Sequence, residues 1–249
     1  MSNQRRFFID GAKIAGDRVK INGDLVTQIR CVLRLKNGDW VQLLDGRGTE
    51  YDAQIVSCSN GSIQARIVGK RECKTEPKLK LTVAISLPKA DKVETVVQKC
   101  TELGMSKLIV FMSERSVPRP DEARIANRMD RWRRIAVEAA EQSGRALVPQ
   151  IEGILDFGEL ISKIPQYGLP LLAWEGSDSL PLREIIKNYP TVDSSIVIIG
   201  PEGGFTECEA GLAKEAGAIP ISLGKRILRC ETAAVAVTAV LMNEYGDTT

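Results

Sequence analysis

The sequence predicts an α/β protein in two parts: a small β-module, then a domain in which strands and helices alternate. Three observations predict it. Short apolar runs broken by Asn-Gly and Asp-Gly pairs fill the first 75 residues, and strand-like and helix-like periods alternate from residue 81 onward. Charge divides at the same place: residues 1–75 hold 13 Lys and Arg against 8 Asp and Glu, whereas residues 76–249 hold 21 against 24. The predicted domains are therefore 1–75 and 76–249. A basic first module fits a polyanionic partner, because phosphate contacts release counterions. It is equally the surface of an ordinary soluble module.

In the first part, residues 39–44, 50–57 and 62–69 read as strands, set off by Asn37-Gly38, Asp45-Gly46 and Asn60-Gly61. Both residues of such pairs accept positive φ, which is the signal of a hairpin turn. Several short strands at this spacing predict a small barrel. Residues 70–80, polar and interrupted by Pro77, read as a linker.

Next come a strand at 81–87 and a helix at 91–103, with Val93, Val96, Val97, Cys100 and Leu103 on one face. Asp91 and Glu94 have capping-box spacing, and Gly104 suits the C-terminal left-handed position. Strands at 107–112, 169–174, 195–199 and 220–223 then alternate with helices within 121–143 and at 180–188, 206–216 and 232–245. This order predicts a mostly parallel sheet covered on both faces. The last helix is apolar nearly all round, so it is either deeply buried or part of a subunit interface.

The chain is 249 residues long, 43% hydrophobic and 27% charged, as in ordinary globular proteins. The N-terminal stretch is charged and lacks an apolar core, so neither a secretory signal nor a membrane anchor is predicted, and cytoplasmic residence is expected. Six cysteines stand singly, with no CxxC pair, and no metal site is expected. Histidine is absent. That removes zinc hydrolases of the HExxH type, Ser-His-Asp and Cys-His nucleophilic systems, and any imidazole base. The chemistry must rest on carboxylates, Arg, Lys, backbone groups or a reactive cofactor.

Ligands of open parallel sheets bind at the carboxyl ends of strands. The strand at 195–199 runs into Gly200-Pro201-Glu202-Gly203-Gly204-Phe205, where Thr206 and Glu209 fit a capping box. The strand at 220–223 runs into Gly224-Lys225-Arg226-Ile227-Leu228-Arg229-Cys230-Glu231-Thr232, and the strand at 169–174 into Glu175-Gly176. Each loop alone is an ordinary βα turn; together they imply a ligand. GxxxxGK[ST] and GxGxxG are both absent, which disfavours an NTPase and a doubly wound dehydrogenase.

GPEGGFTECE and LGKRILRCETAAVAV closely resemble the two signature motifs of the RsmE family, small-subunit ribosomal RNA uridine-N3 methyltransferases of the SPOUT superfamily. RRFFID, KADKVETVVQKCTELGMSKLIVFMSERSV and RWRRIAVEAAEQSGRALVPQI extend the resemblance over nearly the whole chain. Cys100 departs from an expected alanine. The resemblance implies an N-terminal PUA-like β-barrel, a C-terminal SPOUT-type trefoil-knot α/β domain and a homodimer with cofactor loops near its interface. It implies S-adenosylmethionine as cofactor, and small-subunit (16S) ribosomal RNA or the assembled small subunit as partner. Two other readings remain: a sister SPOUT enzyme acting on transfer RNA or a ribose 2′-hydroxyl, and a non-catalytic RNA-binding assembly factor.

By resemblance, the cofactor's adenosine lies among backbone groups of Leu172, Ala173, Trp174, Ile199, Gly200, Leu223, Ile227 and Leu228. Pro201 and Gly224 belong to the same loops, and Gly203 and Gly204 permit close backbone approach. Thr232 contributes either a hydroxyl or the cap of the last helix. Arg229 is the expected stabiliser of charge developing on the uracil oxygens, its other reading being an ion pair with Glu231. Glu202 accepts a proton, hydrogen-bonds the cofactor or favours the helix start beside it. Arg115 reaches RNA or the neighbouring subunit's site. Arg131, Arg133 and Arg134 read as a solvated face. Arg5 and Arg6 beside Phe7 and Phe8 join cations to stacking surfaces as single-stranded RNA binders do, although the two rings equally suit the barrel core.

Overall fold

The computed structural model describes residues 5–59, 61–89, 92–116 and 122–246. The Asp91 cap, Asn60 of the third turn pair and the helix start at Asp121 lie outside the described residues. The chain divides into two compact units: Met1–Glu76 with Ala140–Val148, and Pro77–Ala139 with Pro149–Thr249.

The first unit is a sheet of β1 (Arg6–Phe8), β2 (Ile14–Ala15), β3 (Arg18–Asn22), β4 (Trp40–Leu44), β5 (Thr49–Cys58) and β6 (Ser62–Glu72). Between β3 and β4 lies α1 (Asp24–Thr27), which continues into a π-helical turn, Gln28–Val32. The strand order is β1-β4-β5-β6-β3-β2, with β1 parallel to β4 and the other pairs antiparallel. Alternation decides which side faces inward: Val19 and Ile21 of β3 are buried while Arg18, Lys20 and Asn22 are exposed. They join Phe7, Ile29, Leu43, Ile55 and Ile63 in one core cluster. Phe7 therefore packs in the core.

Two sequence expectations change here. Asn37-Gly38 is no hairpin turn; it links the helical segment to β4, with Gly38 at φ +93°. Residues 70–72 belong to β6, not to a linker, because Lys70, Arg71 and Glu72 pair with Tyr51, Glu50 and Thr49. The Asp45-Gly46 turn does join β4 to β5. The Asp45 carboxylate accepts from the Arg47 and Thr49 amides at 2.8 and 3.0 Å.

Residues 140–148 complete this unit. Phe8 N–H donates to the Glu141 carboxylate at 2.9 Å, and Arg6 donates to the Gly144 carbonyl at 2.8 Å. The Glu76 carboxylate accepts from the Ala146 and Leu147 amides and pairs with Arg145 at 2.8 Å.

The second unit holds β7 (Lys80–Ser86), α2 (Lys92–Glu102), β8 (Lys107–Phe111), α3 (Glu122–Ser143) as far as Ala139, β9 (Gln150–Leu155), α4 (Phe157–Lys163) and β10 (Leu169–Ala173). There follow β11 (Leu180–Pro181), α5 (Leu182–Asn188), β12 (Ser194–Ile199), α6 (Glu207–Glu215), β13 (Ile219–Ser222) and α7 (Cys230–Leu241), which ends in a π-helical turn, Met242–Gly246. The strand order is β11-β13-β10-β12-β7-β8-β9, parallel throughout. β7 and β12 are near-continuous apolar runs because both of their faces are covered.

Local signals account for several boundaries. Gly104 at φ +106° closes α2 as expected. Thr206 and Glu209 form the expected capping box at α6. α7 starts two residues before the expected Thr232: its N-cap is Arg229, and Thr232 is an exposed residue of the first turn that caps nothing. β9 and α4 were not expected, since Glu152 and Gly153 interrupt the apolar pattern of β9. The Glu152 carboxylate is held between Lys107 at 2.6 Å and Lys163 at 3.0 Å.

Gly211 lies inside α6 with open space where a Cβ would stand. Gly211→Ala is expected to stabilise the protein by about 0.5–1 kcal/mol, by restricting the unfolded chain. Thermal melting checks this, and an unchanged or lowered Tm contradicts it. Among the described residues, no helix is long and apolar enough to cross a membrane.

Candidate functional site

β13, β10 and β12 are neighbours, so their carboxyl ends bring three loops to one edge of the sheet: residues 174–179, 200–206 and 223–229. These loops contain all the residues expected at the cofactor except Leu172, Ala173 and Ile199, which end strands, and Thr232 on α7. The Leu172 and Ile199 side chains are buried in the core, which leaves only their backbone groups for a ligand.

The glycines are demanded for different reasons. Gly204 (φ +69°) and Gly224 (φ +120°) have left-handed backbones, and a Cβ built on either meets nothing within 4 Å. Backbone there is open to a ligand. At Gly200 a Cβ would stand 3.1 Å from the Phe205 ring, which is buried and stacks 6.3 Å from Phe111. At Gly176 the Trp174 ring fills the Cβ position. That ring also receives Lys214 at 5.0 Å from its centroid.

The 200–206 loop is tied from several sides. Gly204 N–H donates to the Pro201 carbonyl at 2.9 Å, closing a tight turn. Buried Glu209 accepts from the Thr206 amide at 2.9 Å with one carboxylate oxygen and from the Glu114 amide at 2.8 Å with the other. The 113–116 segment is fixed by a buried trio of hydroxyls: Ser86 lies 2.7 Å from Ser113 and 2.8 Å from Ser116. Arg115, carried on that segment, donates to the Gly203 carbonyl at 2.8 Å. Its guanidinium therefore serves the glycine loop of its own chain.

Lys92 lies where sequence reasoning placed nothing. Its ammonium sits 2.6 Å from Glu202 and 3.8 Å from Glu231, linking the glycine loop to the start of α7. Burial, the largest single influence, would raise the Glu202 carboxyl, but the hydrogen bond and charge of Lys92 together with hydrogen bonds from backbone amides outweigh it and hold Glu202 below the usual carboxylate range. Glu202 is thus ionised and a weak base. Cys230 is pushed up to about 12 by burial and by the neighbouring Glu231, so its thiol stays protonated and is no nucleophile. The one signal for Lys92 was its place in the charged stretch that opens α2.

Arg229 is exposed at the N-cap of α7, and its side chain makes no hydrogen bond or ion pair among the described residues. Glu231 stands nearest to Lys92 and accepts from Cys230 at 3.2 Å, so the alternative Arg229–Glu231 pair is not formed. Arg6, expected at RNA, is partly buried and committed to Glu50 and Gly144, whereas Arg5 is exposed. Arg131, Arg133 and Arg134 form an exposed face as expected, Arg131 paired with Glu94 and Arg133 with Asp130.

A S-adenosyl cofactor fits these residues. Open backbone at Gly204 and Gly224 offers hydrogen-bonding edges, and Ile227, 83% exposed between Leu223 and Leu228, offers apolar surface for a planar ring.

Comparison with known proteins agrees. Residues 75–242 match the model of an RNA methyltransferase domain, and residues 29–68 that of an RNA methyltransferase PUA domain. The fold and these matches define an α/β methyltransferase domain of the SPOUT type with a PUA domain at its N-terminal side. The chain is 32% identical to ribosomal RNA small subunit methyltransferase E of Bacillus subtilis, over 92% of each chain. It is 31% identical to the crystal structure of a ribosomal RNA small subunit methyltransferase E from Neisseria gonorrhoeae bound to S-adenosylmethionine. That match has a TM-score of 0.89 over 99% of this chain and 100% of the other. A Legionella pneumophila protein, Lpg2936, solved with bound cofactor, matches at 29% identity and a TM-score of 0.90 over 99% and 100%. The chain belongs to the ribosomal RNA small subunit methyltransferase E family.

Proposed function

We propose that this protein transfers a methyl group from S-adenosylmethionine to N3 of one uridine in small-subunit ribosomal RNA. The observation that carries this reading is the convergence of three glycine-bearing loops at one sheet edge, with an exposed, unpaired Arg229 beside them. Bound S-adenosylmethionine supplies an electrophilic methyl on a sulfonium. The protein's own groups supply placement and charge. Backbone of residues 172–174, 199–204 and 223–228 holds the cofactor, and Lys92 and Arg115 keep the glycine loop in place. N3 loses its proton as it gains the methyl, and negative charge collects on the uracil carbonyl oxygens. Arg229 donates to those oxygens. Glu202, ion-paired with Lys92, orients rather than deprotonates, and the N3 proton leaves to solvent. Incubating protein, labelled cofactor and small-subunit RNA tests this. Label recovered as 3-methyluridine is expected; cofactor binding with no transfer to RNA contradicts it.

Residues 1–75 serve as the RNA-binding module and residues 76–249 as the catalytic domain. In the first unit an open groove is lined by Arg30, Arg34 and Lys36, and a second contains Arg47 and Lys70. Replacing Arg34 and Lys36 together by Glu is expected to weaken RNA binding at least 10-fold and to flatten its salt dependence by about two charges, with cofactor affinity unchanged. Equal RNA binding by this variant and the parent contradicts the division of labour.

The protein acts as a homodimer in the cytoplasm. Support for the dimer comes from α7, whose Val240 is exposed, and from the exposed Ile227. Support for a reducing compartment comes from the six free cysteines. Light scattering at micromolar concentration is expected to give twice the 27.3 kDa chain mass. A mass of one chain contradicts the dimer.

A further inference from the structure

One cavity of the second unit is unused by the site above. α2 and α3 enclose a hollow of about 220 Å³ whose floor is Leu87, Val93 and Trp132, all buried. Its rim is polar. Arg131 grips Glu94 with two nitrogens at 2.7 and 2.8 Å, which neutralises that carboxylate and fixes the guanidinium plane. Arg128 is half-buried on the rim beside exposed Asn127, and its side chain makes no hydrogen bond or ion pair among the described residues. A partly desolvated guanidinium without an internal partner is placed for an anion from outside.

The hollow adjoins the candidate site. Leu87 follows β7, and β7 pairs with β12, the strand that leads into the glycine loop. Neighbouring strands stand about 4.8 Å apart. Val93 also follows Lys92, which holds Glu202. The hollow is smaller than the ~300–1,000 Å³ pockets that bury drug-sized ligands, and it suits a single planar base. Single-stranded RNA presents such bases splayed from the chain, each with a phosphate at its edge.

Resting on the RNA methyltransferase reading, we propose that this hollow is a subsite for a nucleotide flanking the methylated uridine. The base lies on the Leu87–Val93–Trp132 floor, Asn127 meets the base edge, and Arg128 holds the phosphate. Specificity for the target's sequence context follows from this subsite.

The test uses the full chain, labelled S-adenosylmethionine and small-subunit ribosomal RNA. Arg128→Ala is expected to raise KM for RNA about 10-fold, with kcat and cofactor Kd little changed, and to reduce the salt slope of RNA binding by about one charge. Arg128→Lys is expected to recover the salt slope but only part of the KM, because it keeps charge and loses the fork. Arg128 is on a helix surface, and circular dichroism verifies the fold of both variants. If the parent methylates RNA and Arg128→Ala has the parent's KM and salt slope, the subsite is overturned while the function stands. A loss confined to kcat, cofactor affinity or Tm also overturns it. If the parent binds cofactor but methylates no RNA, the function falls and the subsite with it.

Discussion

Arg229→Ala is expected to cut turnover about 100-fold or more while leaving the fold and cofactor affinity close to those of the parent. The expectation rests on position. Arg229 occupies the N-cap of α7, where its carbonyl accepts from the Ala233 amide but its side chain makes no bond to the helix, and Glu231 stands with Lys92 instead. Removing an exposed side chain that makes no internal bond costs little stability. Removing a donor aimed at charge that develops only in the transition state lowers kcat rather than substrate binding. Arg229→Lys keeps the charge but not the forked geometry and is expected to recover only a small part of the rate. Single-turnover methyl transfer at saturating cofactor and RNA measures the effect. Near-parent turnover in a folded Arg229→Ala protein removes the residue from the chemistry.

Gly224→Val is expected to act on the other half of the reaction by weakening cofactor binding some 10- to 100-fold. Gly224 holds φ at +120°, a region that a β-branched residue reaches only under strain of order 1–3 kcal/mol. No neighbour crowds a Cβ at this position, so the penalty comes from the backbone and not from packing. The loop relieves it by leaving the conformation that carries Leu223, Ile227 and Leu228. Calorimetric titration with S-adenosylmethionine reads the loss, and thermal melting shows whether it is local. Parent-like affinity would mean that the 223–229 loop does not hold the cofactor.

Much of this site was legible before any coordinates, for a physical reason. The sheet is parallel, so loops that follow neighbouring strands share one edge, and glycines there leave backbone open. Gly200 to Gly204 and Gly224 to Arg229 could be read from those rules and from family likeness. Lys92 could not, because its partners Glu202 and Glu231 lie more than a hundred residues away in sequence. Arg6 misled for the same reason: a cation beside two phenylalanines has the pattern of an RNA contact, but Glu50 and Gly144 claim it. The bond from Arg115, expected at RNA or at the neighbouring subunit's site, to the Gly203 carbonyl was equally invisible in the sequence.

The fold shows the same division. Apolar strands such as β7 and β12 declared themselves by composition. β1 and β2, three and two residues long, are too short to show a period. β9 carries Glu152, made tolerable by Lys107 and Lys163 from other elements. The junction near residue 75 is visible in charge and pattern, but the return of residues 140–148 to the first unit is not. That segment is held by Glu76, which accepts from the Ala146 and Leu147 amides, and by Glu141, which accepts from the Phe8 amide; such contacts leave no periodic trace in the sequence.

The central claim is methylation of uridine N3, and nucleoside mass spectrometry of small-subunit ribosomal RNA tests it most directly. RNA from cells lacking the gene is expected to lose 3-methyluridine, and a plasmid copy of the parent chain, but not of Arg229→Ala, is expected to restore it. An undiminished 3-methyluridine signal in the deleted strain would contradict the account.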